Sequence, residues 1–213
     1  MSTTPRKQLV ILGSTGSVGK NTLDVVSRHR GAYEVFALTA HRSVDELLAQ
    51  CAAWKPRHAA MSDPIAAREL RQKLRAHGLK TEVLEGPAAL VLLAQHPEVD
   101  VVMAAIVGAA GLAPCMAAAE AGKRLLLANK EALVVGGALF MGAVKRGGGS
   151  LLPIDSEHSA IFQCLPEDMT TWPERIDHIV LTASGGPFRE RDSSSLEHVT
   201  PNEACAHPNW VMG

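Results

Sequence analysis

A glycine-rich string between an apolar run and a helical pattern constrains this sequence most. The string is Gly13-Ser14-Thr15-Gly16-Ser17-Val18-Gly19, directly after the β-branched run 8–12 and opening the amphipathic stretch 18–28. This context is typical of a turn whose backbone N–H groups bind a pyrophosphate. The spacing is one residue longer than the common G-x-G-x-x-G pattern, so a dinucleotide site and an ordinary tight turn both stay open.

The rest of the sequence repeats this alternation of short apolar runs with amphipathic stretches. The pattern predicts an α/β fold, a Rossmann-like parallel sheet with helices on both faces, followed by part of a second α/β domain. Predicted strands are 8–12, 33–39, 58–61, 81–84, 99–107, 124–127, 151–154 and 176–181. Predicted helical segments are 18–28, 44–53, 64–77, 90–94, 113–122, 130–145, 159–165, 193–198 and 200–206.

A glycine-rich stretch, 147–150, marks the predicted domain boundary. It divides the chain into a nucleotide-binding domain, 1–150, and a second segment, 151–213. The spacing of Thr200 and Glu203 predicts a capping box at the last helix.

Composition excludes several classes of protein. With 213 residues, 46% of them hydrophobic, the chain is long enough to bury a core in one or two domains. A net charge of −1 gives no broad cationic field, so we expect no nucleic-acid partner. The four cysteines are too widely separated for a zinc motif, which indicates reduced thiols. The N-terminal residues 1–8 are polar without a secretory signal pattern, and we expect a cytoplasmic protein.

One uncharged stretch, 101–119, has the length of a membrane span. It is rich in alanine, and Gly108, Gly111 and Pro114 interrupt it. These residues make insertion into lipid unfavourable, so we interpret the stretch as a buried strand, a turn and a helix, with no membrane partner.

The end of the second predicted strand bears on cofactor choice. Sites that prefer NAD place Asp or Glu there to bind the ribose 2′-hydroxyl. This sequence instead has His41, Arg42 and Ser43, and its first carboxylate is Asp45. A guanidinium and a hydroxyl suit a 2′-phosphate, which favours NADP. A solvated arginine at a helix start is the alternative.

Polar groups also follow two later strands. Asn129, Lys130 and Glu131 come directly after the predicted strand 124–127, at the ligand-binding edge of a parallel sheet, although a helix cap with an exposed ion pair is equally compatible. Asp155, Ser156, Glu157 and His158 follow the predicted strand 151–154. Carboxylates at i and i+2 of an extended stretch point to one side, and Mg²⁺ or Mn²⁺ prefers such oxygen ligands. His158 is a weaker ligand candidate.

Two further strings contain candidate binding residues. The segment 182–188 follows an apolar run, and its small residues, with Ser184, expose N–H and hydroxyl groups suited to a phosphate, although a plain loop is the alternative. In the string 207–213, His207 has a proton to donate to a substrate hydroxyl, and Trp210 and Met212 are candidates to cover a ligand. An exposed tail is the alternative.

These strings together carry a family resemblance. The chain resembles 1-deoxy-D-xylulose 5-phosphate reductoisomerases over its whole length. The matching strings, in family order, are GSTGSVG at 13–19, AAIVGAAG at 104–111, LANKE at 127–131, IDSEH at 154–158, SGGPF at 184–188 and HPNW at 207–210.

The resemblance implies a cytoplasmic, homodimeric enzyme of isoprenoid precursor biosynthesis. Such an enzyme rearranges a ketose phosphate and reduces the product with NADPH, converting 1-deoxy-D-xylulose 5-phosphate to 2-C-methyl-D-erythritol 4-phosphate. It implies cofactor contacts by the residues at the family's positions, which are Thr15, Gly16, Ser17, Val18, His41, Arg42, Ser43, Asn129, Glu131 and Gly213. Many family members have a Gly-Lys-Asn type string at 41–43, so Arg42 keeps the charge while the contact at His41 departs from the pattern.

The resemblance also implies the metal and substrate residues. Asp155 and Glu157 would bind Mg²⁺ or Mn²⁺, which would stabilise the oxyanion that develops during the rearrangement. Lys130, Asp155, Glu157 and His207 would be the catalytic residues. Substrate contacts would come from Lys130, Ser156, Ser184, His207 and Trp210. Trp210 and Met212 would belong to a lid that excludes water.

Family members continue beyond this length with a third metal carboxylate and a helical C-terminal domain. We therefore expect the 213-residue chain alone to bind NADPH and to turn over poorly or not at all. A catalytically incomplete NADPH-binding fragment is one alternative. Another NADP-dependent oxidoreductase, such as a semialdehyde dehydrogenase, is a second, but it needs a nucleophilic cysteine at a turn, and Cys115 and Cys164 lie inside predicted helices.

Overall fold

The structure, a computed structural model, describes residues 5–128, 130–182 and 185–208. The chain forms two compact units, Met1–Asp155 and Ser156–Gly213. The strand Ser150–Pro153 pairs with Arg124–Leu127 and completes the sheet of the first unit.

The first unit contains a seven-stranded parallel sheet. Its strands are β1 (Lys7–Leu12), β2 (Tyr33–Ala40), β3 (His58–Met61), β4 (Glu82–Glu85), β5 (Val101–Ala104), β6 (Arg124–Leu127) and β7 (Ser150–Pro153). The spatial order is β4-β3-β2-β1-β5-β6-β7. The chain thus moves outward from β1 to β4 and returns to β5 on the other side of β1. This reversal opens a crevice beyond the carboxyl ends of β1 and β5, where ligands of such sheets bind.

Helices connect the strands and continue into the second unit. They are α1 (Ser17–Arg28), α2 (Val44–Trp54), α3 (Pro64–Ala76), α4 (Pro87–Ala94), α5 (Leu112–Glu120), α6 (Lys130–Gly147), α7 (Ser156–Cys164), α8 (Trp172–Arg175) and α9 (Pro201–Cys205). The turn 193–198 is a 3-10 helix. The capping box predicted at the last helix is confirmed, since Thr200 and Glu203 bond each other's backbone N–H.

The core of the first unit lies on both faces of the sheet. Side chains of a strand alternate between the faces, and in β1 Leu9 and Ile11 enter one cluster while Val10 and Leu12 enter the other. The first cluster contains buried residues of α1, α2 and α3, and the second contains those of α4, α5 and α6. The predicted fold class, a Rossmann-like α/β sheet with helices on both faces, is confirmed.

Several predicted boundaries need correction. The strand predicted at 99–107 pairs only over Val101–Ala104, and Val107 is 84% exposed. Val107 continues the apolar pattern although it lies beyond the last paired residue of the strand. Hydropathy alone therefore does not mark where the backbone pairing ends. The helix predicted at 90–94 begins at Pro87, whose fixed φ suits a first helical position, and the helix predicted at 159–165 begins at Ser156.

The strand predicted at 176–181 is wrong. This segment forms no regular element, and Ile179, Val180 and Leu181 are 59%, 68% and 66% exposed. A strand needs a neighbour for its backbone hydrogen bonds, and no strand within the described residues pairs with this one.

The interpretation of the uncharged stretch 101–119 as a strand, a turn and a helix is confirmed. This stretch contains β5, a short 3-10 turn and α5. Across the described residues, no helix combines the length and the apolar character that crossing a bilayer requires.

Candidate functional site

The glycine-rich turn is tightly packed where β1 meets α1. Gly13 has φ +81°, and a Cβ there would lie 2.7 Å from the Ala105 carbonyl oxygen. A Cβ on Gly19 would lie 2.5 Å from both the Gly13 carbonyl oxygen and the Ser14 Cα. The outer glycines are therefore required by packing, whereas a Cβ on Gly16 would meet only an ordinary contact at 3.5 Å.

Two residues that the sequence analysis did not single out fix this turn from behind. Thr39 accepts the Gly13 N–H on its hydroxyl at 2.9 Å and the Ser14 N–H on its carbonyl at 2.8 Å. The buried Ser14 hydroxyl lies 2.7 Å from Gln50 Oε1, and Gln50 Nε2 donates to the Ser14 carbonyl at 2.9 Å. Thr39 was detectable as the polar residue of an apolar strand, whereas the reach of Gln50 from α2 leaves no mark in the sequence.

The start of α1 suits an anion. Gly16 precedes the helix, no side chain of the described residues caps it, and no acidic residue occupies the first turn. The first N–H groups of a helix and its positive dipole end favour a negatively charged ligand. Thr15 is partly buried and Gly16 and Ser17 are exposed, so a ligand can approach this turn.

A cavity of about 770 Å³ opens at the carboxyl ends of β1 and β2, above the turn. Thr15, Gly16 and His41, all predicted cofactor residues, line it. Its walls also contain residues that the sequence analysis missed, and these are largely apolar: Ser62, Pro87, Leu90, Val91, Ala113 and Pro114. Such a polar floor with apolar walls is typical of a cofactor pocket.

The second loop at this edge follows β2. His41 Nδ1 lies 2.8 Å from Ser62 Oγ, and Arg42 Nε donates to Asp63 Oδ2 at 2.8 Å. Hydrogen bonds from the Ala66 N–H and from Arg42 lower the pKa of Asp63 to about 2. Ser43 precedes α2, and no cap bond from its side chain occurs within the described chain. The structure thus places His41 at the cavity, with Arg42 and Ser43 exposed beside it.

A smaller cavity of about 160 Å³ adjoins the turn at Val18. Lys130, Glu131 and Asp155 line it, so the strand-end residues of β6 and β7 do meet at one edge. Lys130 Nζ donates to Asp155 Oδ2 at 2.9 Å, and the Asp155 side chain is 17% exposed. Asn129, predicted to contact the cofactor, lies outside the described residues.

The remaining predicted residues belong to the second unit. Ser156 Oγ donates to Glu157 Oε2 at 3.1 Å in the first turn of α7, and His158 beside them is exposed. The described residues contain no cluster of three or more His, Cys, Asp or Glu side chains arranged for a metal ion.

His207 follows α9, and its side chain lies near Gly186, where a Cβ would be 3.9 Å from His207 Cδ2. Gly185 and Gly186 have φ of +81° and +58°, which suits glycine at both positions. Ser184, Trp210, Met212 and Gly213 lie outside the described residues.

Two of the four cysteines, Cys51 and Cys115, are buried in the first unit. Burial raises the pKa of Cys51 and of Cys115 to about 12, which keeps both thiols protonated and inert. Cys115 lies within α5 and Cys164 within α7, as the sequence pattern predicted.

The chain matches known proteins along both units. The family model described as 1-deoxy-D-xylulose 5-phosphate reductoisomerase matches residues 9–137. The model of that enzyme's C-terminal domain matches residues 151–213. The enzyme named 1-deoxy-D-xylulose 5-phosphate reductoisomerase from Aromatoleum aromaticum is 60% identical over 99% of this chain and 53% of its own length.

Solved structures give the same picture. A DOX-P reductoisomerase in complex with NADPH, fosmidomycin and magnesium superposes with a TM-score of 0.84 at 43% identity, covering 97% of this chain and 52% of its own. The enzyme from Zymomonas mobilis in complex with NADPH has a TM-score of 0.86 at 41% identity, over 96% of this chain and 52% of its own.

The chain therefore spans about half the length of the relatives that it matches. The matches follow one another along the sequence, and the first covers the glycine-rich turn and the strands from β2 to β6. On these findings the chain belongs to the 1-deoxy-D-xylulose 5-phosphate reductoisomerase family.

Proposed function

We propose that this chain binds NADPH at the crevice beyond β1 and β5 and contributes to the conversion of 1-deoxy-D-xylulose 5-phosphate to 2-C-methyl-D-erythritol 4-phosphate. The observation that carries the proposal is the start of α1, which has no side-chain cap at Gly16 from the described residues and adjoins the large cavity. The turn that leads into it leaves no room for side chains at Gly13 and Gly19. A relative at 43% identity is described as a complex with NADPH, which supports the same assignment.

The residues at this edge fit a phosphorylated dinucleotide. Four residues would hold the pyrophosphate side of the cofactor through backbone N–H and hydroxyl groups: Thr15, Gly16, Ser17 and Val18. Arg42, with Ser43 and His41, would bind the 2′-phosphate, and Asn129, Glu131 and Gly213 would complete the contacts. NADPH, when bound, supplies the hydride for the reduction.

We propose Asp155 and Glu157 as carboxylate ligands of Mg²⁺ or Mn²⁺. The donor chemistry supports this assignment, because hard divalent cations prefer carboxylate oxygens. Such an ion polarises the substrate's oxygens when bound. Lys130 lies beside Asp155 at the small cavity, so its ammonium would neutralise one carboxylate and offer positive charge to an anionic substrate.

The second unit would supply the remaining substrate contacts. Ser156, Ser184 and His207 would hydrogen-bond the substrate or its phosphate, and Trp210 would cover it. We propose residues 1–150 as the NADPH domain and 151–213 as the start of the catalytic domain. In the whole enzyme we propose a cytoplasmic homodimer of isoprenoid precursor biosynthesis, with no nucleic-acid or membrane partner.

Binding and turnover test separate parts of this proposal. NADPH is titrated into the purified chain, followed by its nicotinamide fluorescence, and NADPH oxidation is then measured with 1-deoxy-D-xylulose 5-phosphate and Mn²⁺. We expect saturable binding of one NADPH per chain, weakened by Arg42→Ala. Absence of binding contradicts the cofactor assignment. Rapid NADPH oxidation would show that the chain alone completes the reaction and would contradict the expectation of poor turnover. In that case, slower oxidation by Asp155→Asn would support Asp155 as a metal ligand.

A further inference from the structure

Asp63 is a residue that the motifs do not mark and that contacts the proposed 2′-phosphate loop. It lies in the loop between β3 and α3, and its side chain is 13% exposed. Its Oδ2 accepts the Arg42 Nε–H at 2.8 Å. Arg42 itself is 73% exposed and belongs to the loop after β2.

Asp63 is held in place independently of Arg42. Its Oδ1 accepts the Ile65 N–H at 2.8 Å and the Ala66 N–H at 3.1 Å, which makes it the N-cap of α3. The cap fixes one carboxylate oxygen and leaves the other to the guanidinium. A carboxylate that is anchored in this way restricts the rotamers of an otherwise solvated arginine.

The two loops are joined at adjacent positions. The Ser62 N–H donates to the Ala40 carbonyl at 3.1 Å, and Ser62 Oγ lies 2.8 Å from His41 Nδ1. The contact of Arg42 with Asp63 follows one residue further along both loops. The loop after β3 therefore braces the loop after β2, at the edge of the large cavity that His41 and Ser62 line.

We infer that Asp63 is a positioning residue for NADPH specificity. It occupies the Nε–H of Arg42 and so leaves the two terminal amino groups of the guanidinium for the 2′-phosphate. Because the fork is already oriented, less rotamer entropy is lost when the phosphate binds. The inference rests on the proposed function, in which Arg42 contacts that phosphate.

A competing effect has the opposite sign. The carboxylate is an anion close to a phosphate dianion, so its charge alone disfavours NADPH. Orientation of Arg42 must outweigh this repulsion for Asp63 to favour NADPH over NADH. The sign of the change on neutralising Asp63 decides between the two effects.

The test compares NADPH and NADH affinities of the full chain and of Asp63→Asn, Arg42→Ala and the double variant. Asparagine remains a good N-cap, so α3 keeps its start while the acceptor for Arg42 is lost. We expect Asp63→Asn to weaken NADPH roughly fivefold to tenfold, leave NADH unchanged, and have no further effect once Arg42 is alanine. Gln72→Ala, an exposed substitution on α3, is the matched control.

The outcomes distinguish the two proposals. If Arg42→Ala leaves the ratio of NADPH to NADH affinity unchanged, the 2′-phosphate assignment itself fails. If Arg42→Ala lowers the ratio but Asp63→Asn leaves it unchanged or raises it, the positioning role is overturned while the proposed function stands. Equal weakening of both cofactors in Asp63→Asn, with a lower melting temperature, also overturns it in favour of a purely structural cap.

Discussion

The two units hold their candidate residues by different means. In the first, the turn at 13–19 is fixed by Thr39 and Gln50, which are distant in sequence, and the strands beneath it are buried on both faces. In the second, no described residue is buried, and most polar contacts join near neighbours, such as Asp168 with Thr170. Long-range packing therefore preorganises the proposed cofactor site, whereas the described part of the second unit is organised by local caps.

The largest expected difference between the units is in stability. Leu70 of α3 is fully buried, and Leu70→Ala should lower the free energy of unfolding by about 2–5 kcal/mol because it removes contacts and leaves a cavity. Phe162 of α7 is 48% exposed, and Phe162→Ala is the matched control in the second unit. Urea denaturation followed by circular dichroism measures both. Comparable losses would show that the second unit has a core of its own.

The next prediction concerns the packing of the glycine-rich turn. Gly19→Ala places a Cβ against backbone atoms of Gly13 and Ser14. We expect this crowding to lower the free energy of unfolding by about 1–3 kcal/mol. Gly31→Ala is the control, since its Cβ meets nothing within 4 Å. NADPH titration and thermal melting of both variants measure the effect. A Gly19→Ala protein that binds NADPH normally would mean that the turn is not rigid.

Gln50 tests whether the long-range contacts matter for binding. Gln50→Ala removes two hydrogen bonds to the buried Ser14, and we expect NADPH affinity to fall by about 1–2 kcal/mol. Thr200→Ala, which removes the cap of α9 in the second unit, should leave NADPH affinity unchanged. Fluorescence titration compares the two variants. An equal effect of both would contradict the contrast between the units.

The smallest expected effect is a dependence on pH at the other end of the sheet. Burial lowers the pKa of His58, with an opposing contribution from Glu82, and the Arg57 and His96 charges lower it further. The unfolded chain then binds the proton more tightly than the folded chain, so stability is retained above pH 6.5 and declines as the pH falls below it. The Glu98 carboxylate raises the pKa of His58, as Glu82 does, and so offsets part of this effect.

Replacement of His58 by phenylalanine tests this dependence. His58→Phe keeps an aromatic ring beside Phe36, whose centroid lies 5.2 Å away, and removes the titrating group. Urea denaturation at pH 7.5 and 5.5 should show a smaller loss of stability in the variant than in the parent chain. The same loss in both would assign the acid sensitivity to other groups.

The sheet was predictable from the sequence because its strands are unbroken apolar runs between turn residues. The pattern did not reveal where pairing ends, as Val107 shows, or that Ile179 to Leu181 pair with no strand among the described residues. Both depend on which backbone lies alongside, and hydropathy does not record that.

The candidate site was predictable where function depends on position along a strand. The glycine-rich turn, Lys130 and Asp155 follow strand ends, and the structure brings them to one edge. Gln50 and Asp63 were not predictable, because each acts through a side-chain contact across the fold. Such contacts arise only when α2 and the loop before α3 are placed against the turn and the loop after β2.

Hydrogen exchange of the whole chain with and without saturating NADPH tests the central claim most directly. The account predicts slower exchange at the amides of 13–20 and 40–44, with little change across 156–208. Protection confined to the second unit, or none at the glycine-rich turn, would contradict the assignment of the cofactor to the preorganised edge of the first unit.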